Sequence, residues 1–369
     1  MSLKKLTALG KKINLKMIRN LVFFVLLIGL TFWFIFKDTD LNELINVIKS
    51  AKIEFVIAGV LVMLLYYLME SLNIKSILKC FGEKISILKA LKYTWIGFFF
   101  SAITPAATGG QPIEIYYMTK DKLSGPNSTL ALLLQLCGFQ ISTIGLGVIC
   151  AILNPTILDG GLIWLFLLGV IINGFALALM LIGIFSKRLT KKLVNAFIKL
   201  LKKCRVKNLD AKKKKMEASL EQYNESAVFI KSHKGEFIKA ILRVFIQICL
   251  YHSITYFIYR AFGLTELNFF QVFSMQAVLY TTVSGLPLPG AIGVSETVFL
   301  KIYGKAFGES LLKGAMLLSR GVTFYLYVIV SLIVVIITAI MKKDVVGQID
   351  KDVIELDKLD NETKEEKAA

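Results

Sequence analysis

Histidine is nearly missing from this sequence: His233 and His252 are the only two in 369 residues. That scarcity leaves little room for a histidine-based metal centre or catalytic triad. The five cysteines, Cys80, Cys137, Cys150, Cys204 and Cys249, include no C-x-x-C pair. They are expected to be free thiols, which excludes a disulfide scaffold and a zinc site. Charged residues are also scarce, at 19%, against roughly 25% in an ordinary soluble domain. Lys212 to Lys215 lack the preceding glycines of a nucleotide-binding loop. No cofactor is expected.

Apolar residues fill the space left by charge. They make up 56% of the chain and mean hydropathy is +0.66. The apolar runs are long enough to be counted as membrane spans, so the fold class expected is an all-α polytopic membrane protein. The net charge of +18 then belongs to cytoplasmic loops facing anionic headgroups.

Six full transmembrane helices are predicted. They are Leu21–Phe36, a span from about Phe55 to Lys75, Ser128–Leu153, Leu162–Phe185, Phe237–Phe262 and a last crossing within Leu311–Met341. Lys4, Lys5, Lys11, Lys12, Lys16 and Arg19 precede the first, which places the N-terminus inside; Lys342-Lys343 places the C-terminus inside as well. Asp38, Asp40 and Glu43 fall on a short amphipathic stretch outside. Arg243 and Arg260 lie near the two ends of their span, where each can snorkel to an interface.

Two further apolar segments do not read as crossings. Ala90–Met118 is broken at Thr104-Pro105 and Gly109-Gly110-Gln111-Pro112, with basic flanks at both ends. Phe269–Tyr303 is broken by Gly285-Leu286-Pro287-Leu288-Pro289-Gly290 and Gly293. Broken backbone at membrane depth is tolerated only when packed in protein or lining a polar cavity. Both segments are therefore expected to be re-entrant hairpins, opening to opposite faces. Each precedes a full span, the pattern of an inverted repeat over about 55–153 and 237–340. The alternative, two kinked but ordinary helices, would put the basic flanks of Ala90–Met118 on opposite sides.

The integral domain is taken as residues 1–343. Within it, 187–236 is a basic amphipathic cytoplasmic connector, with Leu189, Leu193, Phe197 and Leu201 on one face. The simplest role for this connector is membrane attachment; recruitment of anionic lipid or of tRNA is the functional alternative. Residues 344–369 form a charged tail without a core, expected to be disordered.

Four charges fall where charge is expensive: Glu70, Glu114, Glu296 and Arg320. Glu296, just beyond the second break, has the strongest claim to function, as a partner for Arg320 and a candidate proton carrier. Arg320 also reads as an interface residue, because Gly321–Met341 is long enough to span alone. Gln111, Gln135, Gln140, Gln247 and His252 are polar within apolar runs and suit interhelical hydrogen bonds. Helices starting near Gly110 or Gly293 would aim free N–H groups at an anionic group, such as a lipid phosphate.

The segments Thr104-Pro105-Ala106-Ala107-Thr108-Gly109-Gly110-Gln111-Pro112 and Pro287-Leu288-Pro289-Gly290-Ala291-Ile292-Gly293-Val294-Ser295-Glu296 resemble the two signature breaks of the lysylphosphatidylglycerol synthase transmembrane-region family. The likeness runs from about Met17 to Met341. In the first break, Gln111 stands where many relatives carry Glu, and Glu114 where they carry a base. The family includes the flippase half of a multiple peptide resistance factor. The resemblance implies a lipid-binding and translocation site at Pro105, Thr108, Gly109, Gly110, Gln111, Glu114, Pro287, Pro289, Gly290, Gly293, Glu296 and Arg320. Larger relatives carry a cytoplasmic domain that transfers lysine from lysyl-tRNA to phosphatidylglycerol. Only a short charged tail follows Met341 here, so that catalytic domain is expected to be lacking.

The leading functional expectation is thus a translocator of an anionic or aminoacylated phospholipid, or a polyprenyl-linked lipid, in the cell membrane. It would contribute to surface charge and resistance to cationic peptides. The alternatives are a phosphatidylglycerol lysyltransferase or membrane glycosyltransferase, and a non-catalytic companion of a separate synthase. Anionic phospholipids are the expected partners, tRNA is one only for the enzyme, and a homo-oligomer stays open.

Overall fold

The structure, a computed structural model, describes residues 41–104, 107–186, 234–286 and 288–339, together with the isolated positions Val22, Leu26, Gly29, Lys192 and Val228. Most of the predicted first span Leu21–Phe36, nearly all of the connector 187–236 and the tail 344–369 lie outside the described residues. So do Pro105 and Pro287.

The described residues are helical and contain no strand. A short amphipathic helix, α1 (Leu41–Ser50), leads into α2 (Ile53–Cys80). Next come α3 (Ile87–Ala102) and α4 (Gly110–Lys120), separated by the first break. Then follow α5 (Gly125–Leu153), α6 (Leu162–Phe185), α7 (Lys234–Ala261) and α8 (Phe269–Val283). After the second break comes α9 (Val294–Arg320), then a π-helical turn, Gly321–Tyr325, and α10 over 326–339.

Local sequence sets several starts. Ser86 caps α3 by accepting the Lys89 N–H at 3.2 Å. Ser124 does the same for α5 through Asn127, with Pro126 in the first turn. Asn268 and Gln271 form a reciprocal capping box on α8.

Five helical runs among the described residues are long and apolar enough to cross a membrane: α2, α5, α6, α7 and the run Pro289–Ala339. The last is not one rod. Gly308 has φ +67° and ψ 166°, which interrupts α9. The piece before Gly308 is the returning arm of the second hairpin. The piece after it, continued through α10, is long enough at ~1.5 Å per residue to cross a ~30 Å hydrocarbon core. At the two predicted positions the chain forms helix–break–helix units, α3/α4 and α8/α9.

The centre is built by α2 lying along α7, with α5 against both. The hairpin α3/α4 packs on α2 and α5, and α8 packs on α5, α6 and α7. Small residues let α8 approach closely. A Cβ at Gly169 of α6 would come 2.4 Å from the Thr281 carbonyl, and one at Gly147 of α5 would come 2.1 Å from Thr281 Oγ1. Thr281 also donates to the Thr143 carbonyl of α5 at 2.9 Å.

Candidate functional site at the meeting of the two breaks

The two breaks share a local design. Pro105 aligns by spacing with Pro289, Ala107 with Ala291 and Gly109 with Gly293. Ala107 and Ala291 both adopt left-handed backbone, with φ of 53° and 52°. That conformation is unfavourable for a residue with a Cβ. In both cases a new helix starts three residues later, at Gly110 and at Val294. The predicted helix starts near Gly110 and Gly293 are thus where they were expected.

In the first break, the Gly109 N–H donates to Thr104 Oγ1 at 2.9 Å, and that hydroxyl donates to the Phe100 carbonyl at 2.6 Å. Gly110 sits against α3, where a Cβ would fall 2.0 Å from Ser101 Oγ. The far end of the hairpin is fastened by an ion pair between Lys92 and Asp121, with Tyr93 donating to the same carboxylate at 2.7 Å. In the second break, the Asn173 side chain of α6 covers the end of α8. Its amide donates to the Thr281 carbonyl at 3.3 Å and to Ser284 Oγ at 3.1 Å.

Glu296 and Arg320 meet. Arg320 Nε donates to Glu296 Oε1 at 2.8 Å, and Nη2 donates to the Gly290 carbonyl at 3.0 Å. The other carboxylate oxygen accepts the Gly293 N–H at 2.7 Å and Ser295 Oγ at 2.8 Å. Tyr325 donates to Oε1 at 3.2 Å. The Glu296 side chain is 1% exposed and that of Arg320 12%. A buried pair stripped of one partner loses ~3–5 kcal/mol. The guanidinium also lies 4.4 Å from the centre of the Phe324 ring. Arg320 therefore faces the interior.

This geometry corrects one expectation. The N-terminus of α9 does not offer its first N–H to a ligand, because Glu296 folds back and caps Gly293 itself. The carboxylate takes up the Gly293 N–H and sets a negative charge at the positive helix end from within the chain.

Glu114 has a different setting. It is 4% exposed, and its Oε2 has no hydrogen-bond partner. The carboxyl group occupies the space over Gly97, where a Cβ would lie 1.8 Å from Oε1. Glu70 is partly buried and accepts from Gln247 at 2.9 Å. That contact ends a chain in which every donor points the same way. Arg243 donates to Asn73 at 3.4 Å, Asn73 to Gln135 at 2.6 Å, and Gln135 to Gln247 at 2.9 Å. Arg243 thus turns inward to Asn73, whereas sequence position alone suggested an interface residue.

Both breaks open on one cavity of about 310 Å³. Ala107, Gln111 and Glu114 line it from the first, and Leu288, Gly290 and Ala291 from the second. Glu70 and Arg320 reach it from α2 and α9, and Tyr66, Tyr67, Tyr251 and Tyr280 supply aromatic wall. Of the predicted site residues, Gln111, Glu114, Gly290 and Arg320 line the cavity. Gly109, Gly110, Pro289, Gly293 and Glu296 stand behind them and shape the breaks. Thr108 is exposed, away from the cavity lining. The sequence reading missed the four tyrosines and Asn173. A tyrosine or asparagine in an apolar helix carries no local mark of what it faces.

These features define a polytopic helical membrane protein organised around paired helix breaks and an interior cavity with a few charged groups in its wall. The chain belongs to the family described as the lysylphosphatidylglycerol synthase TM region, whose model matches residues 20–331. It is also similar to a UPF0104 membrane protein of Archaeoglobus fulgidus, 31% identical over 81 residues. That stretch is 22% of this chain and spans 25% of the archaeal protein's length.

Proposed function

We propose that this protein is a lipid translocator of the cell membrane, which carries the headgroup of an anionic or aminoacylated phospholipid, such as lysyl-phosphatidylglycerol, between leaflets. Its family points to a membrane, lipid-related role. The observation that carries the finer reading is the convergence of both breaks on one cavity, largely apolar but holding Glu70, Glu114 and Arg320. Paired interrupted helices around a midplane site are the usual construction of transporters with inverted repeats. In this reading α3/α4 and α8/α9 are re-entrant hairpins opening to opposite faces, and both termini are cytoplasmic.

Arg320 is the one cation among the described residues lining the cavity, and it is the group proposed to meet the lipid phosphate. Glu296 holds that guanidinium in place; its four polar contacts make it an anchor, not a proton carrier. Gln111 and the Gly290 backbone complete the headgroup surface. Gly109, Gly110, Gly293 and Pro289 set the break geometry, a role extended to Pro105 and Pro287. Moving a cationic lipid outward would raise surface charge and so resistance to cationic peptides.

Leaflet exchange in proteoliposomes tests this. Purified full-length protein is reconstituted with labelled phosphatidylglycerol, its lysyl derivative or a polyprenyl phosphate, with no tRNA or sugar donor. Exchange of any of them above protein-free vesicles is expected. No exchange with folded protein would overturn the proposal, and consumption of lysyl-tRNA would then favour the transferase.

A further inference from the structure

The cavity wall carries an imbalance of charge that the lipid phosphate does not resolve. Its charged lining residues, among those described, are Glu70, Glu114 and Arg320. Arg320 is already neutralised by Glu296 behind it. Two carboxylates remain, and no ion pair to either is present among the described residues. They are not equivalent. Glu70 terminates the one-way hydrogen-bond chain that begins at the Arg243 cation. Each donor in such a chain polarises the next, which stabilises negative charge at its end. Glu114 has no such support: it is almost fully buried, and its Oε2 faces the cavity lining without a donor. A carboxylate in that state is among the most costly groups a protein interior can hold. Glu70 lines the same cavity as Glu114, and two like charges sharing a site do not both persist.

We infer that Glu114 and Glu70 form a proton-binding site, with the proton held on Glu114, and that its loading and release couple lipid movement to a pH gradient. The proton is taken from bulk water on one side and returned to bulk water on the other, with no bond other than O–H made or broken. The remaining titratable and charged groups facing this site are Tyr66 and Tyr67 on α2, Tyr251 on α7, Tyr280 on α8 and Arg320 on α9. On α3, Lys92 and Tyr93 are engaged by Asp121 at the opposite end of the hairpin. This deepens the translocator reading and rests on it for the coupling, though not for the proton itself.

Two readouts separate those parts. In nanodiscs of phosphatidylglycerol and phosphatidylcholine, infrared difference spectroscopy of the full chain reads the carbonyl stretch of a protonated carboxyl group. That band is expected at neutral pH in the wild type and absent in Glu114→Gln. In Glu70→Gln it is expected to persist but to bleach at a lower pH, because the neighbouring negative charge is gone. Absence of the band, or a band unchanged in Glu114→Gln and unmoved in Glu70→Gln, would overturn the proton site. A band that appears only when sodium is removed would also overturn it, in favour of a metal cation. In proteoliposomes, a pH gradient is expected to change the wild-type exchange rate several-fold and to leave the Glu114→Gln rate flat. Exchange indifferent to the gradient would sink the coupling. No exchange of any lipid, with the band intact, would sink the translocator reading and leave the proton site standing.

Discussion

The two breaks share a left-handed alanine followed three residues later by a helix start, part company at the next glycine (Gly109 φ −86°, Gly293 φ 88°), and hold opposite kinds of chemistry. In the second break every charge is matched: Glu296 caps Gly293 and pairs with Arg320, which reaches back to the Gly290 carbonyl. In the first, the nearby charge is Glu114, buried with an unpartnered oxygen. One shared left-handed alanine can therefore stand beside quite different electrostatics. The closed pair suits a fixed anchor; the orphaned carboxyl suits a group that changes state.

That contrast can be broken from either side. The largest effect is expected from Arg320→Ala, which leaves Glu296 buried without its cation and should cost ~3–5 kcal/mol of stability and abolish exchange. Thermal unfolding in detergent measures the first and leaflet exchange the second. Replacing both partners, as Arg320→Met with Glu296→Leu, should recover most of the stability and none of the exchange. Recovery of both would make the pair purely structural. Glu296→Gln alone is expected to insert and fold while exchange falls sharply; wild-type exchange would remove Glu296 from the anchoring role.

The next effect is smaller. Gly290→Ala would place a Cβ 2.3 Å from the Phe324 ring on backbone with φ +58°, and should destabilise by about 1–3 kcal/mol. Asn173→Leu removes the donor to the Thr281 carbonyl and Ser284, for about 1–3 kcal/mol. Unfolding midpoints compare the two directly, and an unchanged midpoint for Asn173→Leu would show that the second break does not depend on that cover. The smallest effect should be a gain. Ala107→Gly and Ala291→Gly relieve left-handed strain, and each should stabilise by up to ~1 kcal/mol. Equal gains would mean that the turns are equally strained, and a gain at one site alone would locate the strain.

Much of this organisation was legible in the sequence, because it depends on local chemistry. Glycine and proline at Gly109, Gly110, Pro289 and Gly293 mark helix interruptions wherever they fall, so the hairpins and their restart points could be read directly. Isolated charges in apolar runs stood out for the same reason, and Glu296 and Arg320 were paired on that basis. What stayed hidden depends on which helix faces become neighbours. Nothing around Gln135, Gln247 or Asn73 indicates that they join Arg243 to Glu70, since any of them satisfies an ordinary interhelical bond equally well. The cap on Gly293 was hidden differently: a helix N-terminus after glycine looks open until the side chain three residues on is seen to turn back.

The π-helical turn at Gly321–Tyr325 has one further consequence. A π turn is an α-helix with a residue added, and each added residue rotates everything beyond it by about 100°. The register that brings Tyr325 onto Glu296 and stacks Phe324 beside Arg320 therefore hangs on a single codon. Deleting one residue between Gly321 and Tyr325 would heal the helix and rotate α10 relative to α9 without removing any charged group. Insertions and deletions within this one turn are thus a route by which lineages can retune the site while leaving its ion pair in place.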